Sequence, residues 1–177
     1  NREVFLEGEA WFDVRRNKAK PFIVHTPWYN VRVTGTKFNI KSYEEESHTY
    51  TTLEEGEVII TSSKKLKLAD DIVLKPGEQA VFDNTSRKLS VKNVDTKYYT
   101  SWRNNKLTLL NMNVKDMFIL FERKYGVDIV VKDSDILNYH YTGTIKNETI
   151  MEMLEIIKIT LPIKYEINEG KILISKN

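Results

Sequence analysis

The sequence contains no cysteine among its 177 residues. Disulfides, thiolate nucleophiles and cysteine-based metal sites are therefore excluded together. The chain also lacks any apolar run near the roughly 18 residues that a membrane-spanning helix requires. A basic start followed by an apolar stretch, which would mark a signal peptide, is likewise missing.

Neither sign of charge dominates, because 27 Lys and Arg stand against 25 Asp and Glu. Residues 1–96 hold 15 basic and 15 acidic side chains, and residues 97–177 hold 12 and 10. A nucleic-acid-binding domain normally has a basic face and a pI above about 9, whereas the pI here is about 8.6. This balance argues against a nucleic-acid partner.

The residue groupings that catalysis or metal binding would need are missing from the sequence. His25, His48 and His140 are far apart, and none has a second ligand at a metal-binding spacing. A nucleophile elbow and a phosphate-binding glycine run are also lacking. The acids at 44–46 and 54–55 could be the carboxylates of a glycosidase, but adjacent acids on a strand point to opposite faces. We therefore predict a protein that is not an enzyme and binds no metal, cofactor or small-molecule substrate.

Alternation of apolar and polar residues dominates residues 1–96 and predicts half-buried strands. The predicted strand runs are 10–14, 22–26, 29–33, 37–41, 49–53, 57–61, 78–82 and 88–93. Turn residues such as Pro27, Gly35 and Gly56 separate the runs. Strands at this spacing predict an all-β sandwich, barrel or roll.

The pattern changes after residue 96, where a connecting segment at 97–105 could form a short helix. Tyr98, Tyr99 and Trp102 would lie together on it, and we predict that they form an interface between two domains. Beyond it, residues 106–177 predict the order β-α-β-β-α-β-β, a small α+β domain. Asn113 can cap the first helix, and Thr149 with Glu152 forms a capping box for the second. The fold class is therefore mainly β plus α+β.

Five ordered stretches of the first half resemble the FecR family, the periplasmic regions of transmembrane anti-sigma factors, especially those of Bacteroidetes. These stretches are residues 5–14 (FLEGEAWFDV), 21–26 (PFIVHT), 33–40 (VTGTKFNI), 53–58 (LEEGEV) and 74–80 (LKPGEQA). Residues 102–107, 121–127 and 141–145 resemble the C-terminal domain that accompanies this region. That domain is similar in layout to the short N-terminal modules of secretins and TonB-dependent receptors.

The resemblance implies a signal relay in the periplasm. A TonB-dependent outer-membrane transporter would present its periplasmic signalling domain to this chain, and an extracytoplasmic-function sigma factor would then be released. The sigma-binding segment would be cytoplasmic and the tether an N-terminal membrane helix, followed by the first strands of the β domain. None of these three parts is expected within these residues, so residues 1–96 are expected to be an N-terminally truncated FecR-like domain.

Recognition by strand addition is the physical mechanism that we expect, because an unpaired sheet edge can accept a partner strand. Residues 139–145 and 171–175 are the candidate edges. The partner-binding residues predicted on them are Tyr139, Tyr141, Thr142, Thr144, Lys171, Leu173 and Ser175.

Two alternatives remain open from the sequence. A carbohydrate-binding module could use Trp28 as an exposed aromatic platform. The secretin-like second half could instead make the chain a structural assembly module.

Overall fold

The computed structural model describes residues 2–177, and the chain divides into two compact units, Asn1–Thr100 and Ser101–Asn177. Each unit has a hydrophobic core of its own. The division falls inside the segment 97–105, which the sequence marks as a connection.

The first unit contains ten strands within its described residues. They are β1 (Arg2–Phe5), β2 (Gly8–Val14), β3 (Phe22–His25), β4 (Asn30–Val33), β5 (Thr36–Ser42), β6 (His48–Glu55), β7 (Val58–Thr61), β8 (Ile72–Leu74), β9 (Glu78–Asp83) and β10 (Lys88–Asn93). One sheet has the order β1-β3-β4-β7-β8, and the other has the order β10-β9-β6-β5-β2. Pairing is antiparallel throughout except between β1 and β3.

The core of the first unit lies between its two sheets, because both contribute to one buried cluster. Val24, Val31 and Ile60 come from the first sheet, and Phe38 and Leu53 come from the second. Every second residue of these strands is buried, as the alternation predicts. The unit ends with a short helix, α1 (Lys97–Thr100).

The second unit begins with a 3-10 turn (Ser101–Asn104) and then alternates strands with helices. Its elements are β11 (Leu107–Asn113), α2 (Val114–Tyr125), β12 (Asp128–Val131), a second 3-10 helix (Ser134–Asn138), β13 (His140–Ile145), α3 (Ile150–Thr160), β14 (Ile163–Asn168) and β15 (Lys171–Lys176). The predicted β-α-β-β-α-β-β order is confirmed, and so is the fold class as a whole. The strands form a pair, β11-β13, and a three-stranded sheet, β12-β15-β14.

The two long helices begin at the caps that the sequence indicates. The side chain of Asn113 accepts a hydrogen bond from the backbone N–H of Lys115, and Gly126 ends α2 in a left-handed conformation. Thr149 and Glu152 form the predicted capping box of α3. Both helices bury an apolar stripe in the core of the second unit. Across residues 2–177, every helix is too short or too polar to cross a lipid bilayer.

Candidate partner-binding edge

The position of β15 within its sheet overturns one sequence prediction. Val130 of β12 and Glu166 of β14 lie opposite Leu173, one on each side, so the backbone of β15 is paired along both flanks. A strand paired on both flanks cannot accept a third. The prediction of a binding edge at 171–175, with Lys171, Leu173 and Ser175 as contact residues, is therefore wrong.

Strand β13 does lie at an edge of its sheet, since within the described residues it pairs with β11 alone. Its alternate residues face opposite ways. The side chains of Tyr141 and Ile145 are buried in the core, whereas those of Thr142 and Thr144 are exposed. Tyr139 precedes the strand, and its carbonyl accepts a hydrogen bond from the N–H of Val114. An added strand would thus meet the side chains of Thr142 and Thr144 on the outer face.

The ring of Tyr141 folds back over Gly143. A Cβ atom placed on Gly143 would lie 2.6 Å from Cε1 of the Tyr141 ring, so glycine leaves room for it. The ring is largely shielded from solvent, and burial raises the pKa of Tyr141 above its ordinary value. The side chain of Tyr141 therefore holds β13 against the core, and partner binding at this residue stays a prediction.

The partner of β13 carries a bulge that the sequence analysis did not identify. Between Leu109 and Met112 the register shifts, and Asn111 adopts a positive φ of 47°. The N–H of Asn111 donates to the hydroxyl oxygen of Thr142 at 2.9 Å, and Leu110 is left 61% exposed. Asparagine tolerates this left-handed conformation. An asparagine inside a strand-like run was therefore the feature of the sequence that could have indicated a bulge.

The other edges of the second unit are protected or short. Strand β14 carries Lys164 and Glu166, and Glu166 pairs with Lys132 at 2.5 Å. Strand β12 has four residues, and the bulge interrupts β11. Charges, bulges and short length are the usual protections of a sheet edge against pairing. Strand β13 is six residues long, has neither lysine nor carboxylate, and is free of a bulge.

The predicted interface residues lie on either side of the division between the units. Tyr98 and Tyr99 belong to α1, and burial raises the pKa of Tyr99 above its ordinary value. Trp102 lies in the 3-10 turn that opens the second unit and is 36% exposed. The interface between the units stays a prediction.

The acidic residues of the first unit form structural contacts. The indole N–H of Trp11 donates to one carboxylate oxygen of Glu54 at 2.6 Å, and the hydroxyl of Thr100 donates to the other at 2.8 Å. The adjacent Glu55 pairs instead with Lys37 at 2.8 Å. Each of these two acids therefore has a structural partner of its own.

Trp28 does not form an open platform for sugars. Its ring centroid lies 5.8 Å from that of Phe82, and the side-chain cations of Lys65 and Arg87 lie over the ring at 5.3 and 5.1 Å. Trp28 is also partly buried against the core of the first unit. A sugar would have to displace these two cations before it could stack on the indole.

A cavity of about 620 Å³ lies at one end of the first unit, beside the loop that follows β2. Its lining is largely charged and includes Asp13, Arg16, Lys37, Glu55 and Glu57. The hydrogen bond that Lys37 donates to the carboxylate of Glu55 raises the pKa of Lys37 above its ordinary value. Within residues 2–177, His, Asp and Glu nowhere gather in threes as a metal site would require.

Comparison with known families decides the assignment. Residues 1–59 match the family described as FecR protein, and residues 106–174 match the family described as FecR, C-terminal. The chain belongs to the FecR family. No protein with a curated description matches it significantly.

Two crystal structures support the same assignment for this FecR chain. A candidate anti-sigma factor from Parabacteroides distasonis ATCC 8503, determined at 1.65 Å, is 28% identical and superimposes with a TM-score of 0.87. A second, determined at 2.50 Å, is 29% identical with a TM-score of 0.87. Each comparison covers 99% of this chain and 80% of the other. The resemblance in the sequence is therefore confirmed, and the FecR family together with these anti-sigma-factor neighbours supports a regulatory role.

Proposed function

We propose that this FecR chain senses the periplasmic signalling domain of a TonB-dependent outer-membrane transporter and thereby regulates an extracytoplasmic-function sigma factor. The chain would lie in the periplasm, tethered to the inner membrane on its N-terminal side. The sigma factor would bind a cytoplasmic segment outside these residues. The observation that carries the proposal is the unprotected edge of β13 in the FecR C-terminal region.

The signalling domain would add a strand along β13. The free flank of β13 offers backbone N–H and C=O groups, which supply affinity without a shaped pocket. Specificity would come from the exposed side chains of Thr142 and Thr144 and from Leu110 across the bulge. These three residues are uncharged, so the matching face of the partner strand would be uncharged or apolar.

The test measures binding of the purified chain to the signalling domain of the transporter encoded beside it. The variant Thr142→Lys/Thr144→Lys places two cations on the exposed face of the edge, where lysine opposes strand addition. We expect affinity to fall at least about tenfold, equivalent to about 1.4 kcal/mol. Both side chains are exposed, and the only described hydrogen bond lost is the one from the N–H of Asn111 to Thr142. Hydrogen exchange of the free variant should therefore match that of the unmodified chain except at Asn111.

The matched control, Thr160→Lys/Asn168→Lys, adds the same two charges at exposed positions of the same unit, at the end of α3 and on β14. It should bind as the unmodified chain does. Equal binding by both variants would show that β13 is not the contact surface. An unmodified chain that binds no transporter signalling domain would refute the sensing role itself.

A further inference from the structure

Successive strands of the first unit run in opposite directions. Each connection between strands therefore lies at one of the two ends of the unit. We call the end at which β1 begins the entry end, and it holds the connections 15–21, 34–35, 56–57, 75–77 and 94–96. The opposite end, called the far end, holds the connections 6–7, 26–29, 43–47, 62–71 and 84–87. The two ends differ in charge.

The entry end is basic although the first half of the sequence is balanced. Its connections carry five cations and two acids, a surplus of three positive charges: Arg15, Arg16, Lys18, Lys20 and Lys75 against Glu57 and Asp95. The far end carries four cations and six acids, a surplus of two negative charges: Lys64, Lys65, Lys67 and Arg87 against Glu7, Glu44, Glu45, Glu46, Asp70 and Asp71. Folding thus separates charges that alternate along the chain.

Most of the positive charge lies on the connection 15–21, which contains no acid. All four of its cationic side chains are exposed, and among residues 2–177 none of them forms an ion pair. The connection is nevertheless held in place. The N–H of Asn17 donates to the carbonyl of Thr34 at 2.6 Å, and Gly35 lies so close to Arg16 that an added Cβ would be 2.6 Å from its Cα.

The same connection is joined to the start of the chain. The guanidinium of Arg2 donates two hydrogen bonds to the carbonyl of Lys20, at 2.8 and 3.1 Å. The N–H of Arg2 also donates to the carbonyl of Pro21 at 3.4 Å. The connection 15–21 is therefore fixed to β1 as well as to the connection 34–35.

The two ends act independently in salt solution. Strands of six to eight residues separate them, which corresponds to roughly 20 Å or more. This exceeds the Debye length of about 8 Å at physiological ionic strength. The acids nearest to the basic connection are Asp13, Glu55 and Glu57, which line the adjoining cavity, and Lys37 already pairs with Glu55.

We propose that the entry end docks on an anionic phospholipid surface, with the connection 15–21 facing the lipid phosphates. This inference rests on the proposed membrane tether, which would hold the first unit close to a bilayer. Exposed cations spread over a loop, without an aromatic or apolar pocket, suit a diffuse layer of phosphates better than a shaped protein partner. Docking would fix the orientation of the first unit above the membrane.

The test measures co-sedimentation of the 177-residue chain with vesicles. One set contains phosphatidylcholine alone, and the other contains phosphatidylcholine with phosphatidylglycerol at about three to one. We expect binding to the anionic vesicles, weakened by salt. The variant Arg15→Gln/Arg16→Gln/Lys18→Gln should lose roughly fivefold per cation, on the order of a hundredfold in total. Glutamine keeps the Cβ and Cγ atoms of Arg16 that lie beside Gly35.

A matched control removes three exposed lysines at or beside the far end, Lys64→Gln/Lys67→Gln/Lys88→Gln, with the same change in net charge. It should retain vesicle binding. An equal loss in both variants, or equal binding to neutral and anionic vesicles, would overturn the proposal. So would binding of the unmodified chain to polyglutamate but not to anionic vesicles, which would indicate an acidic protein partner. Vesicle binding is measured without any transporter domain, so its failure is distinct from failure of transporter sensing.

Discussion

Replacing Glu54 with alanine should destabilise the first unit far more than replacing its neighbour Glu55. The carboxylate of Glu54 joins three distant parts of the unit, because it accepts hydrogen bonds from Trp11 on β2 and from Thr100 on α1. Thr100 is buried and Trp11 is half-buried, so water only partly replaces these contacts. Glu55 and Lys37 are both exposed, and exposed ion pairs contribute little to stability.

The magnitude follows from the two bonds that are lost. A hydrogen bond to a charged group contributes about 1.5 to 3 kcal/mol, and partial exposure of Glu54 reduces the sum, which leaves about 2 to 3 kcal/mol for the pair. For a unit of about 100 residues, this lowers the melting temperature by about 10 to 20 °C. Glu55→Ala should leave the melting temperature almost unchanged.

Hydrogen exchange measured by mass spectrometry suits this test because peptides from the two units are followed separately. Glu54→Ala should accelerate exchange in peptides covering β2, β6 and α1, while peptides of the second unit keep their protection. A difference of less than about 0.5 kcal/mol between the free energies of unfolding of Glu54→Ala and Glu55→Ala would refute the reasoning, since that is the usual scatter of surface substitutions.

Three further predictions concern the stability of each unit. Gly35→Ala would place a methyl carbon 2.6 Å from the backbone of the neighbouring connection and should lower the free energy of unfolding by about 1 to 3 kcal/mol, measured by urea denaturation. Burial holds the pKa of Tyr29 well above its ordinary value, although its hydroxyl contacts that of Thr51 at 2.9 Å. The resulting stabilisation is complete below about pH 10 and declines as the pH rises further, so Tyr29→Phe should flatten the dependence of stability on pH in urea titrations between about pH 9 and 11. In the second unit, hydrogen bonds from Thr149 lower the pKa of Glu152, so this contribution to stability is present above the ordinary glutamate pKa and is lost as the pH falls. Thr149→Ala should destabilise α3 by about 1 kcal/mol and return the pKa of Glu152 towards its ordinary value, which an NMR titration would detect; an unchanged pKa would contradict the capping box.

Local patterns in the sequence predicted most strands of the first unit. Alternation is a property of neighbouring residues, and runs such as 29–33 carry it clearly. Strand β8 (Ile72–Leu74) was not predicted, because three apolar residues are too short to show a period of two. Strand β1 was missed as a separate element for a similar reason, since it has four residues and pairs in parallel with β3.

The error at 171–175 has a different origin. The order of strands in a sheet depends on pairing between distant segments, and β15 pairs with β12 across more than forty residues. A local signal was present, however: Ile172, Leu173 and Ile174 are three consecutive apolar residues. Such a run is typical of a strand that is covered on both faces and both flanks.

The contacts around Glu54 could not be predicted from the sequence. The three residues are separated by 43 and 46 positions, and no local pattern relates an acid on one strand to an indole and a hydroxyl elsewhere. The bulge at Asn111 could be predicted only in part. Its residue type is informative, but its position opposite Thr142 follows from the fold.

The central place of β15 also bears on how the protein is made. Strands β12 and β14 come into one sheet through β15, which consists of residues 171–176 of a 177-residue sequence. During synthesis, β12 stays without its partner until β15, more than forty residues later, has left the ribosome. Deleting residues 171–176 would take away the middle of the sheet, so it should destabilise the second unit far more than deleting an edge strand of similar length.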